Sequence, residues 1–279
     1  MKTQYDIGEQ GRLDLQTPEW LQISKDKKER LFGNVEKASV NGEIMLRVER
    51  NLLPIFQNKA DALEVMMEEK LLHTYYGNAI GLDRIYTQTT FIIDRYAHKN
   101  PGANILEIDA DTDGLTLPVL RALSESMNIN PRFSHYDYID ISAGFFKTAK
   151  AKFTEWSNLM SFKKYDVEGD AAAQGIQAGT YDLIVACDVL HATKPMEVTM
   201  ANVRMLKPDG HVLIVEGTRD TPHCLLIFGT LPGWWLSMYK YQTPFQSINN
   251  LTNRSRRRAS SQSEAYNWIV KKAAYEDRL

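Results

Sequence analysis

The sequence predicts an α/β protein built on a doubly wound, mostly parallel sheet. Three observations carry this. Between Ala103 and Gly217, short apolar runs alternate with amphipathic ones. Several short runs, YDLIVACDVL above all, are apolar on consecutive residues, as a strand requires when both its faces are covered. The joints carry turn chemistry, Asn100-Pro101-Gly102 before the first strand and Lys207-Pro208-Asp209-Gly210 before the last.

Taken in order, residues before about 50 are polar and mixed. ADALEVMMEEKLLHTYYGNAIG and IYTQTTFIIDRYAHKN place apolar residues three and four apart and read as helices. ANILEID is the first strand, and LTLPVLRALSES the helix after it, with Pro118 tolerable near the first turn. FSHYDYIDIS is the second strand. AGFFKTAKAKFTEW is amphipathic, with Phe145, Phe146, Ala149 and Phe153 on one side. LMSFKKYDV and YDLIVACDVL are the third and fourth strands. MEVTMANVRML reads as a helix ended by the Lys207–Gly210 turn, and HVLIVEG as the fifth strand. Three regions follow: residues 1–100 as a helical lid, 101–240 as the α/β core, and 241–279 as a divergent polar tail, expected to be disordered. Within that tail only NWIVKK (267–272) has strand character, and NRSRRR reads as a solvated basic run.

The bulk properties narrow the function. A net charge of −2 favours neither nucleic acid nor an anionic membrane as partner. No apolar run is long enough to span a bilayer, and the first residues lack a signal peptide's apolar core. The two cysteines, Cys187 and Cys224, form neither a disulfide framework nor a metal-ligand spacing. The expected location is cytoplasmic and reducing.

In a doubly wound sheet, ligands bind at the carboxyl ends of the strands. Those ends carry Asp109 to Gly114, Asp140, Asp166, Asp188 to His191, and Glu216 to Arg219. The first of them, LEIDADTDG, has Asp109, Asp111 and Asp113 alternating before Gly114, the opening half of a calcium loop. A complete loop of that kind also needs a bidentate Glu at its twelfth position, and Leu120 stands there. No metal site is therefore expected.

The same stretch, with several blocks on either side of it, resembles the class I S-adenosylmethionine-dependent methyltransferases. The closer resemblance is to the C-methyltransferase domains of fungal highly reducing polyketide synthases. VNGEIMLRV, HKNPGANILEI, YDYIDISAGFFKTAKAKF, YDLIVACDVLHATK, VRMLKPDGHVLIVEGTRD and FGTLPGWWL follow one another in that family's order, from about Val40 to Leu236. The resemblance implies a Rossmann-like methyltransferase core, S-adenosyl-L-methionine as cofactor, and methylation of the α-carbon of a β-ketoacyl chain in secondary metabolism. It implies as partners an acyl carrier protein bearing that chain and other polyketide synthase domains. Position by position, it puts Glu107, Asp109, Asp111, Asp113 and Gly114 in the cofactor turn, Asp140 at the ribose, Asp166 near the adenine, and Asp188 beside the cofactor. His191 corresponds to the residue that takes the substrate proton, and Glu216 to the one that orients it. An α-proton between two carbonyls is acidic enough for one base working near neutral pH.

The family turn reads E-I-G-A-G-T-G-G, so three of its glycines stand here as Asp109, Asp111 and Asp113. A side chain in left-handed backbone costs roughly 1–2 kcal/mol. A carboxylate about 4 Å from the cofactor's own is repelled by roughly 4 kcal/mol at an effective dielectric of about 20. Both effects weaken cofactor binding. The alternative expectation is therefore a degenerate methyltransferase with a structural or docking role. The family sheet also continues for two more strands, one antiparallel, which this sequence lacks apart from NWIVKK. Without them HVLIVEG would be an exposed apolar edge.

Overall fold

The structure is a computed structural model that describes residues 22–108, 114–124, 131–189, 193, 205–217, 222–235 and 267–273. The chain divides into two compact units, one of residues 1–79 and 221–231, the other of 80–220 and 232–279.

The first unit is helical. α1 (Lys25–Ala38) and α2 (Val40–Phe56) are capped by Ser24 and Ser39, whose hydroxyls accept the N–H of Lys27 and of Gly42, each at 3.3 Å. α3 (Ala62–Met67) and α4 (Leu71–Asn78) follow, separated by Glu69 and Lys70 in left-handed backbone. α2 is the hub: α1, α3 and α4 pack on it, as does a short later helix (Pro222–Ile227). Ile44, Val48, Met66 and Ile227 are completely buried at this hub. The two helices before residue 56 replace the mixed polar stretch that the sequence suggests.

The second unit holds the sheet. α5 (Leu82–Lys99) leads through the Asn100-Pro101-Gly102 turn into β1 (Ala103–Ile108). There follow α6 (Thr116–Leu123), β2 (Phe133–Asp140), α7 (Phe146–Lys152), β3 (Met160–Lys164), β4 (Tyr181–Cys187), β5 (Leu206–Gly217) and β6 (Asn267–Ala273). The strand order is β3-β2-β1-β4-β5-β6 and every pairing is parallel. This is the doubly wound sheet expected, with its reversal of strand order between β1 and β4. α5, by sequence a part of the helical region 1–100, packs on α6 and belongs to this unit, so the division falls at 79/80.

Successive side chains along the strands alternate between two cores. On β4, Leu183 and Val185 enter one core with Ile93, Ala97, Val119 and Tyr136, while Ile184 and Ala186 enter the other with Leu106, Ile139 and Val212. Both faces are filled, which explains the continuous apolar runs.

The later strands depart from expectation in two places. The turn Lys207–Gly210 lies within the span of β5. Between two register points β4 advances from Tyr181 to Leu183 while β5 advances from Leu206 to His211, so three extra residues are looped out there. The apolar edge of β5 is covered by β6, paired from His211 to Gly217. The rest of the tail 241–279, and the expected helix MEVTMANVRML as far as Arg204, lie outside the described residues, while its last residue, Leu206, is the first of β5 rather than helical.

Candidate functional site at the carboxyl ends of the strands

Parallel strands bring their carboxyl ends to one side, and β1 to β5 each deliver an acid there. Glu107, next to last on β1, is 3% exposed, and its carboxylate accepts the Tyr136 hydroxyl at 2.7 Å. Burial first, then the charge and hydrogen bond of Glu107, push the Tyr136 phenol well above its ordinary value, so it stays a donor. Asp140, last on β2, is 2% exposed, and its Oδ1 accepts the Ser142 N–H at 2.6 Å. Asp166, just past β3, is exposed and folds its own loop: Oδ1 accepts the Glu168 N–H at 2.9 Å. The Gln174 side chain grips the Asp166 backbone, accepting its N–H at 2.8 Å and donating to its carbonyl at 2.9 Å.

The exits of β4 and β5 are tied together. The Asp188 N–H donates to the Val215 carbonyl at 2.8 Å, and the Val189 N–H donates to Glu216 Oε1 at 3.0 Å. Glu216 is 3% exposed. Asp188 is exposed and takes a left-handed backbone, φ +52°. Cys187 lies among these groups. Burial first, then the charges of Asp188, Glu216 and Glu107, push its thiol well above the ordinary value. The thiol is thereby kept protonated, the opposite of an activated nucleophile.

Glu107, Asp188 and Glu216 thus meet around the β1/β4 reversal, while Asp140 and Asp166 end the two strands on one side of it. Gly114 is half-buried and enters α6. Asp109, Asp111, Asp113 and His191 lie outside the described residues.

The sequence does not single out Tyr86 on α5, although the structure brings it to this place. It is half-buried against the same core as Cys187. Burial first, then the charges of Cys187, Asp188 and Glu107, push its phenol above the ordinary value. Its only sequence signal is membership of the stripe Tyr86, Thr89, Ile93, Tyr96. The aromatic pair Tyr75 and Tyr76 packs with Phe228 inside the helical unit, at centroid separations of 5.7 to 6.1 Å. Trp234 is buried and Trp235 is 42% exposed.

Comparison with known proteins is decisive for the family. The model of the methyltransferase domain matches residues 97–212, the span from the end of α5 into β5. Those residues are a methyltransferase domain. The chain is 44% identical over 238 residues to the squalestatin tetraketide synthase of Phoma sp. (strain C2932), covering 85% of this chain and 9% of that protein. The chain therefore spans about a tenth of that relative. Among solved structures, the trans-methyltransferase CalH in complex with SAH shares 29% identity at a TM-score of 0.68, covering 77% of this chain and 60% of its own. The DszA carbon methyltransferase shares 25% identity at a TM-score of 0.71, covering 82% and 63%. The sheet is accordingly the Rossmann-like core of a class I methyltransferase. Among the described residues no helix is long and apolar enough to cross a membrane.

Proposed function

We propose that this chain is a C-methyltransferase domain acting on the α-carbon of a β-ketoacyl polyketide intermediate. The observation that supports it best is the set of carboxylates at the β1/β4 reversal, combined with likeness to a tetraketide synthase and a carbon methyltransferase. The donor set suits S-adenosyl-L-methionine: Asp140 can accept from ribose hydroxyls, and Glu107 and Asp188 can attract an ammonium or a sulfonium. When bound, that cofactor supplies an electrophilic methyl group to a carbon nucleophile.

The chain's own residues do the rest. Glu216 fixes the backbone two residues before His191 through the Val189 N–H. His191 takes the α-proton of the ketothioester, whose adjacent carbonyls spread the resulting charge. Positioning supplies much of the remaining rate. In this reading the substrate arrives on an acyl carrier protein, and the domain works among others of a synthase in the cytoplasm.

A second reading is favoured by Asp109, Asp111 and Asp113, which stand where the family has glycine. In it the chain is a degenerate methyltransferase with a structural or docking role.

Calorimetric titration with S-adenosyl-L-methionine separates the two readings. It is run on the unmodified chain and on the variant carrying Asp109→Gly, Asp111→Gly and Asp113→Gly. Micromolar binding by the unmodified chain, with methyl transfer to a β-ketoacyl thioester that His191→Ala abolishes, establishes the enzyme. Binding by the triple variant alone establishes the degenerate reading.

A further inference from the structure

The β3 end of the sheet carries a lysine surface. From Phe146 to Lys164 the sequence has five lysines, Lys147, Lys150, Lys152, Lys163 and Lys164, against one acid, Glu155, in a chain whose net charge is −2. The fold gathers three of them on one face. α7 meets β2 and β3 through an aromatic cluster: the Tyr138 ring is 6.1 Å from Phe146 and 5.2 Å from Phe162, and Phe146 is 6.0 Å from Phe162. Lys150 Nζ stands 5.3 Å from the centre of the Phe162 ring, within cation–π range. Lys147, three residues before Lys150, is on the same side of α7. Side chains two apart on a strand share a face, so Lys164 joins Phe162 beside α7. Lys163 turns to the other face and is spent on Asp137 at 2.9 Å.

Lys147, Lys150 and Lys164 are exposed, and none is paired with an acid among the described residues. β3 ends the described sheet. Lysines on an end strand discourage the addition of a further strand, which accounts for β3 but not for Lys147 and Lys150 on a helix. Lys164 is in register with Asp140, the buried acid at the ligand end of β2. The surface therefore borders the candidate site. Two strand spacings, about 10 Å, separate it from β1.

A local surface of one sign steers a partner of the opposite sign. A nucleic acid or an anionic bilayer is a wide negative surface and would also meet the acids of the rest of the chain. A small acidic protein meets the lysines alone. We infer that Lys147, Lys150 and Lys164 form the docking surface for the acidic face of an acyl carrier protein, with the half-buried Phe162 among them. This rests on the proposed methyltransferase reading, and it adds where the carrier sits. Docked against α7 and β3, it sends its acyl chain across the carboxyl ends of the strands to β1 and β4.

The probe is a fluorescently labelled holo acyl carrier protein bearing an acetoacetyl chain. Acetoacetyl pantetheine presents the same thioester without the protein. Carrier binding is read by anisotropy, which needs no turnover. Three proteins are compared: the unmodified 279-residue chain, the variant Lys147→Glu, Lys150→Glu and Lys164→Glu, and the variant Lys25→Glu, Lys27→Glu and Lys37→Glu. The last makes the same change of charge at exposed positions of α1. The expected result is a loss of carrier affinity of roughly tenfold or more in the first variant alone, with a weaker dependence on salt. Its urea midpoint, and its methyl transfer to acetoacetyl pantetheine, should stay close to those of the unmodified chain. Lys147→Glu with Lys164→Glu leaves Lys150 on Phe162 and should repeat the loss in smaller measure, which decides the matter if the triple variant misfolds. Equal losses in both triple variants, no loss in either, or no carrier binding by the unmodified chain overturns the docking surface. Tighter binding of a duplex oligonucleotide or of phosphatidylserine vesicles than of the carrier overturns it too. Absence of methyl transfer to acetoacetyl pantetheine by the unmodified chain overturns the methyltransferase reading instead, and the anisotropy comparison still decides the surface.

Discussion

The Glu216 carboxylate accepts the Val189 N–H at 3.0 Å and so clamps the exit of β4 to the end of β5. Both groups are buried. Glu216→Ala leaves a buried N–H without its acceptor, which costs about 1–3 kcal/mol. Glu216→Gln retains an amide oxygen in the same place and should cost less than about 1 kcal/mol. Urea unfolding of the two variants checks this difference. Methyl transfer should divide them otherwise. On the proposed mechanism both are expected to fall by at least about tenfold, because Gln keeps the clamp but loses the charge proposed to serve His191.

A second carboxylate lies away from the site and governs acid stability. Asp137 on β2 is 3% exposed and accepts the Tyr181 hydroxyl at 2.5 Å and Lys163 Nζ at 2.9 Å, with His135 Nε2 3.3 Å from its other oxygen. Burial alone would raise its pKa. The hydrogen bonds from Tyr181 and Lys163, with the charges of Lys163 and His135, outweigh burial and hold it below the ordinary carboxylate value. A depressed folded value means stability that is complete above the unfolded value near about 4 and is lost as pH falls through the lower folded value. Asp137→Asn should therefore unfold more readily at pH 7. It should also show a flatter loss of stability below about pH 4 than the unmodified chain. Denaturant midpoints across that range would show it, and parallel curves would refute it.

The strands were legible in the sequence because their cores are two-sided. Leu183 to Ala186 and Val212 to Val215 are apolar without interruption, and only a strand covered on both faces reads that way. The amino-terminal helices were not legible by the same means. α1 buries no residue, so it has no apolar stripe to find. Its signal is the serine cap at Ser24, repeated at Ser39 for α2. The Lys207–Gly210 turn was recognisable as a turn. Its place inside β5 was not, since a looped-out segment depends on the register of the neighbouring strand. For the site, strand-end acids could be read from spacing. Tyr86 could not, because the pairing of α5 with β4 that brings it there spans a hundred residues of chain.

The crossing of α1 and α2 gives a contrast between two glycines. A Cβ built on Gly42 would lie 1.8 Å from the Val35 carbonyl oxygen and 2.6 Å from its carbon, both backbone atoms. Gly42→Ala gains about 1 kcal/mol of helix propensity but forces the helices apart. Overpacking of rigid backbone costs about 1–3 kcal/mol or more and should win. Gly33, on α1, has nothing within 4 Å of its built Cβ. Gly33→Ala should therefore stabilise by up to about 1 kcal/mol. Thermal unfolding of the two variants should move in opposite directions.

Asp188 joins backbone strain to charge at the ligand end of β4. Its φ of +52° is left-handed, which costs a non-glycine residue roughly 1–2 kcal/mol, less for Asp and Asn than for Ala. Asp188→Ala should lose about 1 kcal/mol of stability, whereas Asp188→Asn should leave it within about 0.5 kcal/mol. Asn keeps the shape and removes the charge, so it isolates the electrostatic part. S-adenosyl-L-methionine carries a sulfonium that S-adenosylhomocysteine lacks, and an exposed carboxylate attracts that charge through solvent-screened space. Asp188→Asn should weaken the sulfonium ligand roughly threefold to tenfold more than the thioether, with the difference shrinking as salt is raised. Equal weakening of both ligands would place Asp188 in shaping the turn alone, with its charge irrelevant to the methyl donor.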